Sequence, residues 1–168
     1  MTRFTVVPER STVGIEARSS VGPIQWEAPG AEGWIEAELI DGGVDTAVPP
    51  KAHLELAVRN LRSGNSLYDA ELMRRIDARR YPTTTVVLTQ AAGAPTRYQI
   101  IGDVTFHGVT RQLRGTVVAQ IDQAGQLVVT GEQTFDIRDF RVPSPTILML
   151  KIFPDVRVRL RLEAARED

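Results

Sequence analysis

The stretch VRVRLRLE, residues 156–163, alternates strictly between aliphatic and charged side chains. Successive side chains of a β-strand point to opposite faces of its sheet, so this stretch predicts a strand with one apolar face and one charged face. Strands of this kind are typical of antiparallel sheets that cover a core on one side and meet water on the other. The segment therefore predicts an all-β fold.

The same two-residue period recurs upstream. Val13, Ile15 and Ala17 alternate with charged neighbours, as do the apolar residues of 54–58. Turn residues such as Asp41-Gly42-Gly43 separate these segments from other strand-like runs. The further runs are 33–40, 84–90, 98–106, 110–121 and 127–137. Residues 112–121 and 127–135, joined by a short loop, are predicted to pair as a hairpin.

One segment has helical spacing. From residue 65 to about residue 79, the apolar residues can share one stripe while the charged residues lie outside it. Asn65 or Ser66 is predicted to cap this helix, and Tyr81-Pro82 to end it. The stripe consists of Leu67, Leu72, Met73 and Ile76.

These elements predict about eight strands with one short inserted helix. No βα alternation and no linker interrupts them, so residues 1–168 are interpreted as one domain without a parallel sheet. Many strands with one helix leave a sandwich or a closed barrel. The long strands favour an eight-stranded antiparallel β-barrel, whose interior has room for one small ligand.

Composition excludes several classes of function. The net charge is -1, which gives no general attraction to nucleic acid. The chain has no Cys and only two His, so thiolate chemistry is absent, and we expect no metal site and no cofactor. The first residues lack a signal-peptide pattern and no window approaches 18 apolar residues, so we expect a cytoplasmic protein without stable membrane insertion.

Several motifs resemble those of the YceI-like family of lipid-binding proteins. The most specific is the turn His107-Gly108-Val109-Thr110 after the strand at residues 98–106, and it follows a Tyr-Pro pair that ends the helix. The other segments that carry the resemblance are 58–65, 68–72 and 135–140. Nearly the whole chain is covered.

The resemblance implies an extended lipocalin-like barrel, a helix packed near it, and an elongated apolar cavity for an isoprenoid chain or fatty-acid derivative. The chain also departs from the family pattern. Pro8-Glu9-Arg10-Ser11 replaces an Asp-x-x-His-Ser opening, and Arg141 stands where a glycine is expected after Asp139-Phe140. A His expected after the second strand is absent from residues 19–23.

Polar candidates have structural interpretations beside the functional ones. His107 precedes Gly108 at a strand end, where a structural turn role is favoured over a ligand or acid–base role. His53 is expected on the surface. Asp136 and Asp139 could form a carboxylate pair, but Arg138 lies between them, which favours an Arg–carboxylate latch at the barrel rim.

The segment at residues 146–153 carries one charge, Lys151, among mostly apolar residues. Such a run cannot all face water. It is either a strand buried on both faces, a dimer contact, or the wall or lid of an apolar tunnel. Together with the resemblance, it suggests a homodimer. Trp26 and Trp34 could anchor an opening or fill space.

The resulting hypothesis is a carrier that binds a long-chain isoprenoid or fatty-acid-like ligand inside the barrel. The rivals are a lipocalin-shaped enzyme that uses Tyr98 or Asp139 as general acid or base, and a solid barrel that acts through its surface. An enzyme requires a polar cluster deep in the cavity, whereas a carrier requires an apolar lining. The residues predicted to line the cavity are Ile15, Ala17, Trp34, Leu72, Ile76, Phe106, Phe135, Phe140, Leu148 and Leu150.

Overall fold

A computed structural model describes residues 1–143, 146–147 and 149–167. Over these residues the chain forms thirteen strands and one α-helix, α1 at Ser66–Arg75. The strands are β1 Thr2–Val6, β2 Thr12–Ser19, β3 Gly22–Pro29, β4 Glu32–Ala37, β5 Leu39–Ile40, β6 Gly43–Val44, β7 Lys51–Ala57, β8 Thr83–Ala94, β9 Arg97–Phe106, β10 Val109–Ile121, β11 Leu127–Asp136, β12 Thr146–Ile147 and β13 Leu150–Arg166.

Eight strands close into an antiparallel barrel. They follow the order β1-β4-β7-β8-β9-β10-β11-β13, and β13 pairs back onto β1 with Phe4 opposite Arg166. The prediction of a closed eight-stranded antiparallel barrel with one short helix is confirmed, and the sandwich alternative is wrong. Closure leaves the ring itself without a free edge strand.

Strand β13 pairs with two different strands along one of its edges. Its first part, from Ile152 to Arg161, pairs with β2, and its last residues, from Ala164 to Arg166, pair with β1. The β2–β3 hairpin therefore extends the wall beyond the point where β1 stops. Between β3 and the segment that follows β7, the described part of the wall is joined by a single bridge, in which Glu27 and Arg62 exchange two backbone hydrogen bonds of 2.9 Å.

The barrel has two ends, which we name by their interiors. The packed end is the one that β1 closes, and its strand connections are residues 38–50, 95–96 and 122–126. The hollow end is the one that the β2–β3 hairpin and α1 complete, and its described connections are residues 20–21, 58–82, 107–108, 137–143, 146–147 and 149.

The packed end is filled by its own side chains. Phe4 and Leu127 are fully buried there, and Tyr98 is 3% exposed. The Tyr98 hydroxyl donates to the Val44 carbonyl at 2.9 Å and accepts from the Val44 amide at 2.6 Å, which fixes the small β5–β6 hairpin across this end. A Cβ on Gly43 would lie 2.6 Å from the Tyr98 hydroxyl, so only glycine fits beside it.

The predicted β10–β11 hairpin is only partly formed. The strands pair over five positions, from Val117 opposite Gly131 to Ile121 opposite Leu127. Beyond Val117, β10 stays with β9 as far as Val109, and β11 stays with β13 as far as Asp136. Because each strand follows its other neighbour, the two separate over residues 109–116 and 132–136, which we call the β10–β11 gap.

Helix α1 begins where the sequence predicts and ends earlier. The Asn65 side chain accepts hydrogen bonds from the amides of Leu67 and Tyr68 at 3.0 and 3.2 Å, as an N-cap does. The helix stops at Arg75 rather than near residue 79, because Asp77 adopts a left-handed conformation with φ of 53°. No helix in the described part of the chain is both long and apolar enough to span a membrane.

Candidate functional site

The hollow half of the barrel encloses a cavity of about 300 Å³. Its lining is almost wholly aliphatic and aromatic, and it draws on β2, β7 to β11, β13 and α1. The volume lies at the lower end of the range for small-molecule sites. The solid-barrel alternative therefore describes the packed half only.

Strand β13 shows where the hollow begins. Its inward residues Ile152, Val156, Val158, Leu160 and Leu162 all line the cavity. Val158 and Leu160 are only half-buried although they point inward, whereas Leu162 is 2% exposed. At the rise of a β-strand and the tilt of barrel strands, the segment from 152 to 162 spans about 25 Å along the barrel axis. The cavity is therefore long and narrow.

Charged side chains touch the cavity only from outside. Glu55, Arg75, Arg114 and Glu132 border it, and all four are solvent-exposed. A charge in a dry interior is costly unless it is paired, so a lining without internal charge suits an apolar occupant. Over residues 1–143, 146–147 and 149–167, the lining offers no deep polar cluster of the kind that general acid–base chemistry requires.

The hollow end is covered by local structure. Trp26 in β3 donates its indole N–H to the Asp69 carboxylate at 3.1 Å, and Asp69 also accepts the Ser63 amide and hydroxyl at 2.9 and 2.7 Å. These bonds fix the start of α1 against the wall. Near its end, Arg75 donates to the Thr146 carbonyl at 3.0 Å, which ties α1 to β12.

The β10–β11 gap opens the wall into the cavity. The consecutive residues 113–117 on β10 and 131–133 on β11 all border the cavity. Consecutive side chains point to opposite faces of a strand, so the cavity must extend between these two strands. The gap ends at the Val117–Gly131 pair below and at a hydrogen bond of 2.9 Å from Arg111 Nε to the Asp139 carbonyl above. It is a side opening into the hollow.

The structure brings seven of the ten predicted ligand residues together in the lining, and their role in binding stays a prediction. Trp34 is not among the lining residues, because it lies on β4 with the Arg3 guanidinium 4.6 Å from its ring centre. Leu150 packs on the core outside the lining, and Leu148 lies outside the described residues. The seven are Ile15, Ala17, Leu72, Ile76, Phe106, Phe135 and Phe140.

Several lining residues were not assigned to the site from sequence. The inward residues of β13 were placed on an apolar strand face, but the alternation alone could not show that this face meets an empty space. The run at 146–153 also contributes to the lining, since Ile147 and Ile152 face the cavity while Met149 is 94% exposed. Its interpretation as part of a tunnel wall holds for these two residues.

The polar candidates have structural partners outside the cavity. His107 Nδ1 donates to the Phe140 carbonyl at 3.0 Å, which holds the β9–β10 turn against the turn Ile137–Phe140. His53 is half-buried on β7, opposite Trp34 on β4.

The latch forms between Asp136 and Arg138 alone, with contacts of 3.0 and 2.7 Å, and these bonds lower the pKa of the Asp136 carboxyl. The two groups suggested for an enzyme, Tyr98 and Asp139, lie respectively at the packed end and on the exposed turn after β11. Neither lines the cavity, so the enzyme alternative has no candidate group in place.

Comparisons with known proteins agree with this architecture. A family model described as YceI-like domain matches residues 4–164. Among solved structures, the fold is similar to Burkholderia cenocepacia BcnA, with a TM-score of 0.77 and 17% identity over 92% of this chain and 96% of that one. It is also similar to a polyisoprenoid binding domain from Saccharophagus degradans, with a TM-score of 0.78 and 12% identity over 98% of both chains.

A third similar structure is the Campylobacter jejuni YCEI protein, with a TM-score of 0.65 and 15% identity over 82% of this chain and 81% of that one. At these identities the likenesses concern the fold. No curated protein matches the sequence.

Proposed function

Since this chain belongs to the YceI-like domain family, we propose that it is a carrier that sheathes a single long apolar molecule inside the hollow half of its barrel. The observation that carries the proposal is the long, narrow cavity with a lining free of internal charge. An extended hydrocarbon chain fits such a shape better than a compact or polar molecule does. No group in the lining calls for a covalent step.

Burial of methylene groups supplies the driving force. Each buried CH₂ contributes about 0.8 kcal/mol, so ten would contribute about 8 kcal/mol before the costs of association. The half-buried inward side chains, such as Val158 and Leu160, would gain contacts when a chain lies against them. Binding should therefore depend on chain length.

A polyisoprenoid or a fatty acyl chain is the ligand class that we propose. The name of the Saccharophagus degradans relative supports the isoprenoid. A polar head group would lie at the β10–β11 gap, where two of the four charged residues that border the cavity, Arg114 and Glu132, are found, because the described lining offers it no charged partner inside.

The carrier proposal can be tested by filling the cavity with a larger side chain. Ala17 lines the hollow and is 4% exposed, while Glu16, the next residue of β2, has its carboxylate 4.0 Å from Arg159 outside the barrel. Ala17→Trp should abolish the uptake of cis-parinaric acid and of a polyprenol, measured by fluorescence and native mass spectrometry. Glu16→Trp adds the same side chain on the opposite face of β2. It should leave uptake within about twofold of the parent, because the added ring lies outside the barrel and takes none of the space in which ligand methylenes are buried.

Two results would overturn the carrier proposal. One is a parent protein that takes up neither probe, and the other is equal uptake by the two tryptophan variants. Thermal unfolding of both variants verifies that each is folded before uptake is compared.

The homodimer stays a prediction. Ile147 and Ile152 in the run at 146–153 point into the cavity, so the run presents less apolar surface to a second copy than its composition suggests. Light scattering of the purified protein measures the oligomeric state directly.

A further inference from the structure

Three large apolar side chains stand in solvent at the hollow end, and two of them lie on neighbouring turns, while the third, Leu67, is 64% exposed near the start of α1. Val21, in the β2–β3 turn, is 73% exposed, and Met149, before β13, is 94% exposed. The turns that carry them are joined, because the Ser20 amide donates to the Lys151 carbonyl at 3.0 Å and the Lys151 amide donates to the Ser20 hydroxyl at 3.3 Å. The two side chains therefore belong to one projecting edge of the barrel.

This edge is basic. Arg18 and Lys151 flank the two turns, and both approach the Phe153 ring, at 5.6 and 5.9 Å from its centre. Farther around the same end, Arg80 lies 5.4 Å from the ring centre of Tyr81. Surfaces that combine cations with apolar and aromatic side chains bind anionic bilayers at the level of the lipid headgroups.

Charge is segregated between the two ends. The hollow-end connections contain eight Arg and Lys residues against four Asp and Glu, although the whole chain has a net charge of -1. The packed-end connections contain four acidic residues and no basic one. The excess of basic residues thus lies in the hollow-end connections, and a negatively charged surface would attract the protein with that end forward.

Backbone strain accompanies the exposed groups. Met149 has φ of 70° and Arg141 has φ of 60°. Residues other than glycine rarely adopt this left-handed backbone conformation. Arg141 caps the turn Ile137–Phe140, where its amide donates to the Arg138 carbonyl at 3.0 Å. The exposed methionine held in this conformation has a cost in stability, which indicates a role at the surface.

The packed end provides the contrast. It also exposes apolar side chains, Ile40 at 43% and Val48 at 39%, but among acidic connections. Exposed apolar surface is therefore found at both ends, whereas an excess of basic over acidic residues in the connections is found at the hollow end. Charge complementarity selects a membrane with anionic lipid headgroups as the partner.

We propose that the hollow end docks on an anionic lipid bilayer, with Val21 and Met149 entering the headgroup–acyl boundary and the surrounding Arg and Lys residues contacting lipid phosphates. The β10–β11 gap lies in the same half of the barrel, so docking brings the side opening close to the lipid phase. Access of a membrane-dissolved ligand through this gap rests on the proposed function. The docking itself concerns only the outer surface.

Vesicle flotation tests the docking. The full chain should bind vesicles of mixed phosphatidylglycerol and phosphatidylcholine, bind pure phosphatidylcholine weakly, and lose binding as salt is added, because screening weakens surface attraction. Val21→Asp with Met149→Asp should reduce binding at least about tenfold by placing carboxylates against anionic headgroups. Removing one cation by Arg80→Ala should reduce it about fivefold.

The matched control moves the same change to the other end. Ile40→Asp with Val48→Asp should leave vesicle binding unchanged. No binding to anionic vesicles by the parent, or an equal loss in both double variants, would overturn the proposal. Uptake of cis-parinaric acid without vesicles separates the two proposals, because the Val21 and Met149 substitutions should leave it intact while a failure of the carrier function abolishes it in the parent.

Discussion

The two halves of the barrel share the same strands and the same alternation of side chains, yet one is solid and the other is empty. Along β13, Val158 and Leu160 face the hollow and remain half-buried, while Leu162 and Ala164, farther along the same face, are at most 2% exposed. The strand does not change its pattern between these positions. What changes is the set of side chains that face the strand from across the barrel.

Among the residues that the structure describes, those that fill the barrel interior lie in the packed half. Phe4, Tyr98 and Leu127 meet there, and the β5–β6 hairpin lies across the end. In the hollow half, the equivalent closure is made at the edge, by α1 and the turn Ile137–Phe140, which leaves the interior free. A barrel of this size therefore keeps an internal cavity when the side chains that fill its interior are confined to one end.

The largest effect should come from removing the plug. Phe4→Ala should lower the free energy of unfolding by about 3–5 kcal/mol, because a fully buried ring leaves a cavity behind. Phe135→Ala, which trims a half-buried ring that lines the existing hollow, should cost at most about half as much. Urea titration of both variants measures the difference. Equal costs would mean that the hollow half is packed in solution.

An intermediate effect is expected in hydrogen exchange. Along residues 112–116 of β10, the amides that point away from β9 face the β10–β11 gap and have no ladder partner on β11, unlike those at 117–121. They should exchange at least about tenfold faster, because solvent reaches them without opening of the barrel. Exchange measured by NMR decides this, and uniform protection along β10 would show that the gap closes by strand pairing.

The smallest effect should come from pH at the hollow end. Hydrogen bonds from the Arg138 side chain and amide lower the pKa of Asp136 below its usual value. The pair therefore stabilises the fold fully above the ordinary Asp pKa of about 4, and its contribution disappears as pH falls through the lowered pKa. Asp136→Asn should lower the Tm slightly at pH 7 and by less at pH 2, as measured by thermal unfolding. A larger loss at pH 2 than at pH 7 would contradict the assignment.

Most of the barrel could be predicted from sequence because its strands alternate. The two features that the sequence did not predict, the β10–β11 gap and the early end of α1, have local physical causes. Residues 109–116 and 132–136 keep the strand pattern whether or not they pair with each other, so the sequence could not reveal the gap. The early end of α1 depends on a left-handed Asp77, which nothing in the helical spacing indicates.

The site was less predictable than the fold. Alternation shows which side chains point inward, and this was sufficient for Ile15 and Ala17. It cannot distinguish an inward residue that meets another side chain from one that meets a void, since both are apolar. Trp34 shows the limit, because its large apolar ring packs beneath Arg3 instead of facing the hollow.

The pairing of β1 with β13 bears on how the protein folds. Phe4 lies opposite Arg166, so the last contact that completes the ring joins residues 162 positions apart. The strands from β7 to β11 can assemble from sequence neighbours, β2 can pair with β3, and β1 can pair with β4, but the ring closes only when β13 joins β1 and β2. Contacts of such long range slow folding, and until they form the nascent sheet keeps open edges that can join other chains. The solid half, which should be the sturdier one at equilibrium, is therefore expected to be among the last parts to assemble.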